Sequence, residues 1–145
     1  MTSGRGLVAM LIAVVVVVFA RPAPAQVEMF KGRLSPVPVE NAARSGITGS
    51  GSMTAALTGR SLVVRGTFSG MQTAATLAQI HLGPRGVRGP VMFDLTVTKA
   101  TNGSISGTLT LTPEQVEAVR RSRFYVQIHS EKAPDGNLWG WLLPT

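Results

Sequence analysis

Two histidines, His81 and His129, are the side chains of this sequence best placed to act as metal ligands near neutral pH. Each lies two residues after a glutamine, Gln79 or Gln127, so that in a strand each Gln–His pair shares one face. If the two strands are close in one sheet, the four side chains converge. Imidazole nitrogens suit copper and zinc, so this pattern predicts a candidate metal site.

The alternative is that each imidazole connects a loop to the sheet, which needs only one hydrogen-bond partner at each ring nitrogen. A glycine-rich loop at residues 83–90 and a turn at residues 133–137 follow the two histidines. An acidic group such as Asp94 or Glu131 could complete a metal site together with the two imidazoles and the two glutamines, although the amide of Gln79 is a poor ligand for a borderline metal. We therefore favour the structural role, with copper or zinc binding as the alternative.

Composition and motifs argue against an enzyme. The chain has no Cys, which excludes disulfides, thiolate-bound metals and a cysteine nucleophile, and two His are too few for a three-histidine zinc site. The sequence has no Gly-x-Ser-x-Gly elbow, and no motif places a serine beside either histidine. Glu114 and Glu117 lie in a predicted helix as surface carboxylates. We expect a non-enzymatic protein.

Two further features could bind a partner. The 83–90 loop lacks the Gly-Lys-Ser/Thr ending of a phosphate-binding loop, so we do not expect it to bind phosphate in that way. Its two arginines, Arg85 and Arg88, are candidates for contact with an anionic partner.

Trp139 and Trp141 alternate with a glycine, so both lie on one face of a strand, opposite its leucines. An exposed Trp pair is typical of protein or carbohydrate contacts. The alternative is that a loop covers this face.

Short stretches of alternating apolar and polar residues, separated by glycine- and proline-rich turns, predict the strands that position these side chains. The predicted strands span residues 28–34, 52–57, 61–69, 77–82, 91–98, 105–111, 124–130 and 138–143. In the fifth, Val91, Phe93, Leu95 and Val97 are expected on one face. One short helix begins at Thr112, with Pro113 in its first turn and Gln115 completing a capping box. The pattern predicts an all-β fold, a β-sandwich or Greek-key barrel with one short helix.

The first 25 residues are predicted to be a secretory signal peptide. The fourteen apolar residues at 7–20 are fewer than the roughly 20 that a membrane-spanning helix needs. Arg5 precedes this run, and Ala23-Pro24-Ala25 supplies a cleavage site. We expect cleavage after Ala25 and a single domain, residues 26–145, in the periplasm or secreted further. The alternative is an uncleaved membrane anchor.

The chain is basic, with a formal net charge of +7. Arg5 and Arg21 precede the predicted cleavage point, so twelve of the fourteen basic residues and all seven acidic residues lie after it. The densest cluster, Arg120 to Arg123, is most simply a solvated helix end. Nucleic acid is not an expected partner, because no aromatic platform or known motif accompanies the charge. We expect a protein, a polysaccharide or another anionic surface.

Three segments in order resemble one family. They are AQIH at 78–81 with the glycine–proline loop up to residue 91, the LT and TP pairs at 109–113, and YVQIHS at 125–130 with PDGNLWG at 134–140. Together they resemble the CHRD (chordin) domain over residues 30–142, in the form found in secreted bacterial proteins. The resemblance implies an extracellular immunoglobulin-like or superoxide-dismutase-like antiparallel β-sandwich with no established catalytic activity.

The sequence departs from this family's pattern at several polar positions. Gln79 stands in place of His, Gln127 in place of Asn, Asn137 in place of Glu, and Trp139 in place of Arg. In the family pattern, a His-x-His pair with a third His would make a plausible copper site. The change at Gln79 removes one of those ligands.

Overall fold

A computed structural model describes residues 14–39 and 46–145 of the chain. The first part of the predicted signal peptide, residues 1–13, lies outside the described residues, and residues 14–26 have no regular secondary structure. No helix in the described ranges is long and apolar enough to cross a membrane. Cleavage after Ala25 stays a prediction from the sequence.

The described chain forms nine strands and one α-helix. In order they are β1 (Val27–Pro36), β2 (Ser50–Thr58), β3 (Ser61–Ser69), β4 (Ala75–Leu82), β5 (Val91–Val97), β6 (Gly103–Thr110), α1 (Pro113–Arg120), β7 (Phe124–Ser130), β8 (Leu138–Trp141) and β9 (Leu143–Pro144). Every predicted strand has an observed counterpart. The last predicted strand is divided, because Leu142 separates β8 from β9.

Antiparallel pairing closes eight of these strands into a barrel. The order around it is β1-β2-β3-β6-β5-β4-β7-β8, and β9 adds to β1. β1 closes the ring, because residues 27–34 pair with β2 whereas Ser35 and Pro36 pair with β8. The prediction of an all-β fold with one short helix is confirmed, and the hydrogen-bond pairing is that of a closed barrel.

The barrel interior is the main apolar core, built from alternate residues of its strands. Phe30 and Leu34 of β1, expected on one face, are both buried in it. All seven residues of β7 are buried, and three of them face this core: Phe124, Val126 and Ile128. The other face of β7 points away from the interior. The 83–90 loop and the 131–137 turn, which contains the predicted 133–137 turn, cover that outer face.

Helix α1 begins as the sequence predicts. The Thr112 side chain accepts a hydrogen bond from the Gln115 amide, and the Gln115 side chain accepts one from the Thr112 amide. At the other end, Arg120 is not simply solvated. Its guanidinium pairs with Glu28 of β1 at 2.6 Å and with Glu117 at 2.7 Å, and this pairing connects the helix to the first strand.

The prediction that the alternate apolar residues of β5 share one face is wrong for Val91, its first residue. The pairing of β4 with β5 matches Ile80 to Phe93 but then matches His81 to Val91, so the register shifts at this point. The shift moves Val91 out of line with the inward-facing residues of its strand, and its side chain is 48% exposed.

Candidate functional site

The two histidines converge, an outcome that the sequence made conditional on the proximity of their strands. Strands β4 and β7 are direct neighbours, and their register places Leu77 opposite His129 and His81 opposite Tyr125. The two imidazole centroids are 6.4 Å apart, with 31° between the ring planes. His81 also stacks on the ring of Tyr125, with centroids 4.9 Å apart and 16° between planes.

One nitrogen of each histidine connects the sheet to the chain segment above it. His81 Nδ1 lies 2.9 Å from the carbonyl oxygen of Gly89, and His129 Nδ1 lies 2.7 Å from that of Pro134. A carbonyl oxygen only accepts hydrogen bonds, so in the neutral rings each Nδ1 carries the proton and each Nε2 holds a lone pair. In each histidine, Nδ1 therefore has the predicted structural role, because its hydrogen bond holds a loop or turn to the sheet.

The remaining polar atoms on this face are buried and have no hydrogen-bond partner among the described atoms. They are Nε2 of His81, Nε2 of His129 and Oε1 of Gln127. The orientation of the Gln127 amide follows from its other end, because Nε2 donates to the carbonyl oxygen of Asp135 at 2.9 Å. Leaving a buried polar atom without a partner costs roughly 1–3 kcal/mol. Three such atoms on one sheet face indicate a site built to meet something else.

The expected acidic ligand is not beside them. No group of three or more His, Asp or Glu residues in the described chain is placed to hold a metal ion. Asp94 instead accepts a 2.8 Å hydrogen bond from Nε2 of Gln79 across the β4–β5 pairing. Of the two predicted glutamines, Gln127 rather than Gln79 contributes a buried oxygen without a partner to the histidine pair.

The surroundings favour the neutral form of His81. Burial lowers the pKa of His81 below its ordinary value of 6.5, and electrostatic interaction with His129 and Arg88 lowers it further. The hydrogen bond to Gly89 acts in the opposite direction, but burial is the largest cause. A neutral imidazole keeps the Nε2 lone pair available for a cation or a hydrogen-bond donor.

The tryptophan face is on the outside of the barrel, as predicted, but it is not freely exposed. Trp139 is only 8% exposed and packs in a second apolar cluster with Val37 and Tyr125. The ring of Trp141 lies 4.8 Å from that of Trp139 and 4.6 Å from that of Tyr125. Trp141 is half-buried, and its indole N–H donates to the carbonyl oxygen of Gly83 at 3.0 Å. The alternative of a covered tryptophan face holds for Trp139.

The two loop arginines differ. Arg88 donates from Nη1 to the carbonyl oxygen of Asp135 at 2.7 Å, and its guanidinium lies 6.0 Å from the centre of the Trp139 ring. Arg88 therefore connects the 83–90 loop to the 131–137 turn, and its contact with a partner stays a prediction. Arg85 is exposed at the outer part of the loop.

A shallow groove of about 230 Å³ lies where this loop meets the barrel. Its lining includes Arg85 of the loop, both tryptophans and the exposed Arg33 of β1. No acidic residue of the described chain lines it. Arg33 was missed at the sequence level, because nothing in its own segment shows that the end of β1 pairs with Trp139 through Ser35.

Asn137 is a further residue whose role the sequence did not show. It is fully buried, its Oδ1 accepts from the Ser130 hydroxyl at 2.8 Å, and its Nδ2 donates to the carbonyl oxygen of Thr48 at 2.8 Å. Its backbone amide also donates to Ile128. Asn137 therefore holds the end of the 131–137 turn against β7. The only signal in the sequence was its departure from the family pattern.

The comparisons with known proteins give one family. Neither a search of curated proteins nor a search of solved structures finds a match to this chain. The family model for the CHRD domain matches residues 30–142, which include every strand from β2 to β8 and all the site residues described above. The chain therefore belongs to the CHRD domain family.

Proposed function

We propose that this protein is a non-enzymatic binding module that works outside the cytoplasm and holds an acidic polysaccharide in the groove beside the 83–90 loop. The groove carries the proposal, because it combines two arginines, Arg33 and Arg85, with the rings of Trp139 and Trp141. Membership in the CHRD domain family supports the broader role of a binding or structural module.

The groove chemistry suits a sugar acid. The guanidinium group of arginine is a planar fork that matches a carboxylate with two parallel hydrogen bonds. Indole rings offer flat apolar surface of the kind that contacts sugar rings. In the described chain the only ion pairs are those of Arg120 with Glu28 and Glu117, so no carboxylate neutralises Arg33 or Arg85.

The walls of the groove are held in place before any ligand arrives. The 83–90 loop is closed by a hydrogen bond from Leu82 to Pro90, and Gly83 is held from two sides, by Arg123 and by the indole of Trp141. Arg88 fixes the loop to the neighbouring turn. A preorganised surface loses less conformational entropy on binding, which favours affinity in a shallow site.

The location outside the cytoplasm is supported by the predicted signal peptide at residues 1–25. The absence of Cys means that the fold needs no disulfide in an oxidising compartment. The absence of catalysis is supported by the residue types present, which include no Cys nucleophile.

The proposal is tested by binding of polygalacturonate at low ionic strength, with neutral dextran as the comparison polymer. Arg33→Gln and Arg85→Gln should each weaken binding about three- to tenfold, because exposed charges contribute less than the roughly 1.5–3 kcal/mol of a shielded charged hydrogen bond. Arg65→Gln is the matched control, since Arg65 is exposed on β3 and does not line the groove.

Equal loss in the Arg65→Gln control would show that the polymer responds only to net charge. Equal affinity for dextran and polygalacturonate would show that the arginines do not recognise the carboxylates of the polymer. Shortening of the polymer during incubation would contradict the non-enzymatic part of the proposal.

A further inference from the structure

The three buried acceptors on the outer face of β4 and β7 have a common property. Nε2 of His81, Nε2 of His129 and Oε1 of Gln127 each present a lone pair and no proton. Because all three accept, they cannot satisfy one another. Their partner therefore lies outside the described atoms, and it must carry either protons to donate or positive charge.

A water molecule is the weaker answer to this arrangement. One water donates two hydrogen bonds, so a single water leaves one of the three acceptors without a partner. A cation meets all three at once, because each lone pair can bind to it directly. The arrangement therefore favours a cation over a single water.

The groups behind the acceptors are those of a metal site. A histidine that binds a metal usually donates its other ring N–H to a backbone carbonyl or a carboxylate, which fixes its tautomer and orientation. His81 does so to Gly89 and His129 to Pro134. Gln127 is held in the same way, through its amide N–H on Asp135. All three partners are backbone carbonyls of the two segments that cover β7.

The spacing of the rings also fits. Metal–nitrogen distances are roughly 2.0–2.1 Å for imidazole ligands. Two rings whose centroids are 6.4 Å apart can both reach one ion that lies between them. Gln127 is two residues from His129 on β7 and pairs with Gln79, which is two residues from His81 on β4, so its side chain is on the same sheet face as both rings.

We infer that His81, His129 and Gln127 bind one divalent metal ion of borderline softness, with Cu²⁺ held more tightly than Zn²⁺. Imidazole ligands suit both ions, and the general order of divalent affinities places copper above zinc. The absence of carboxylates from this ligand set disfavours Mg²⁺ and Ca²⁺, which prefer several charged oxygens. The inference goes beyond the proposed polysaccharide binding, and it rests on different side chains.

The test is a titration of the untagged protein, expressed from the full sequence and stripped of metal, with Cu²⁺ and with Zn²⁺. We expect one ion per chain, and nitrogen hyperfine splitting from two imidazoles in the electron paramagnetic resonance spectrum of the copper form. Binding no tighter than roughly millimolar, or a copper spectrum without two imidazole nitrogens, would overturn the inference.

The informative substitutions are His81→Asn and His129→Asn. The Asn amide nitrogen lies close to the position of Nδ1 and can still donate to Gly89 or Pro134, but the variant has no atom at the position of Nε2. Each change removes a direct ligand, so it should weaken copper binding by more than the roughly 10- to 100-fold that is typical when a residue hydrogen-bonded to a metal ligand is lost. Gln79→Asn is the control and should leave the affinity unchanged, because the Gln79 amide already pairs with Asp94.

Full copper affinity in a folded His81→Asn or His129→Asn variant would also overturn the inference. Far-ultraviolet circular dichroism and a thermal melt establish that each variant is folded. If both variants fail to fold, the resonance spectrum of the unaltered protein still decides the question. Polygalacturonate binding by the metal-free protein separates this outcome from that of the proposed groove.

Discussion

The imidazole of His81 and the phenol ring of Tyr125 hold the same residue from two directions. The rings stack with their centroids 4.9 Å apart. Nδ1 of His81 contacts the carbonyl oxygen of Gly89, and the hydroxyl of Tyr125 accepts a hydrogen bond from the Gly89 amide at 2.9 Å. The 83–90 loop is thus fixed at Gly89, through both the backbone amide and the backbone carbonyl of that residue.

Tyr125→Phe keeps the ring stacked on His81 but removes the acceptor for the Gly89 amide. We expect the free energy of unfolding to fall by about 1 kcal/mol, the typical net value of one such hydrogen bond. Hydrogen exchange should become faster in the 83–90 loop. The turn between β5 and β6 serves as the internal control, and faster exchange there as well would contradict a local effect.

Stability should decline as the pH falls below the ordinary histidine range. Burial lowers the pKa of His81 below 6.5 in the folded protein, with His129 and Arg88 contributing in the same direction. The unfolded chain therefore takes up a proton at a higher pH than the folded chain, so protonation favours unfolding. The full contribution is present above 6.5 and is lost as the pH falls from there towards the folded-state pKa.

Urea unfolding at a series of pH values between about 7.5 and about 5 measures this decline. His81→Asn cannot titrate and should flatten the profile in that window. The hydrogen bonds from Arg120 lower the pKa of Glu28 from 4.5, so its contribution is lost only at more acidic pH. An unchanged slope in folded His81→Asn would assign the decline to other groups.

Gly136→Ala should disturb Gln127 directly. Gly136 has a φ of +127°, a conformation that side chains rarely adopt, and a Cβ there would overlap the Gln127 Nε2 atom that donates to Asp135. Gly59→Ala is the matched control, because its φ is +60° and the space around it is open. We expect Gly136→Ala to lower the free energy of unfolding by roughly 1–3 kcal/mol more than the control, measured by urea unfolding. Equal losses would mean that the turn yields without moving Gln127.

Asn137→Asp should be strongly destabilising at neutral pH. The substitution replaces the amide N–H that donates to the Thr48 carbonyl with a charged oxygen, inside a fully buried network. We expect a loss of about 3 kcal/mol or more in the free energy of unfolding, since a buried charge would face an acceptor. Asn102→Asp is the control, because Asn102 is exposed and its Oδ1 keeps its acceptor role towards the Gly70 amide. Similar thermal melts for the two variants would contradict this argument.

The sequence was sufficient for features that depend on local periodicity. Two-residue spacing placed Gln79 with His81 and Gln127 with His129, and the turn signals located the strands, because both patterns act over a few residues. The capping box at Thr112 and Gln115 was predicted for the same reason. The proximity of the two histidines followed once their strands were neighbours.

Features that depend on which segments meet in three dimensions were not predicted. Arg88 reaches Asp135 across 47 positions of the chain, and Arg120 reaches Glu28 across 92, and no local pattern encodes either pair. The burial of Trp139 depends on Val37, which approaches it only because the end of β1 pairs with β8. The register shift at His81 is equally invisible, since a bulge is set by both strands of a pair.

The closing of the barrel by β1 also has a consequence for the order of folding. Ser35 pairs with Trp139, so the earliest strand along the chain is completed by one of the last. Pairings between such distant positions form slowly, because a long loop must close before any contact repays its entropy. Until residues 138–144 are available, β1 keeps one edge open, and Val37 and Tyr125 lack the tryptophan rings that pack against them. In a protein synthesised from its N-terminus, this barrel is therefore completed only after residues 138–144 have emerged.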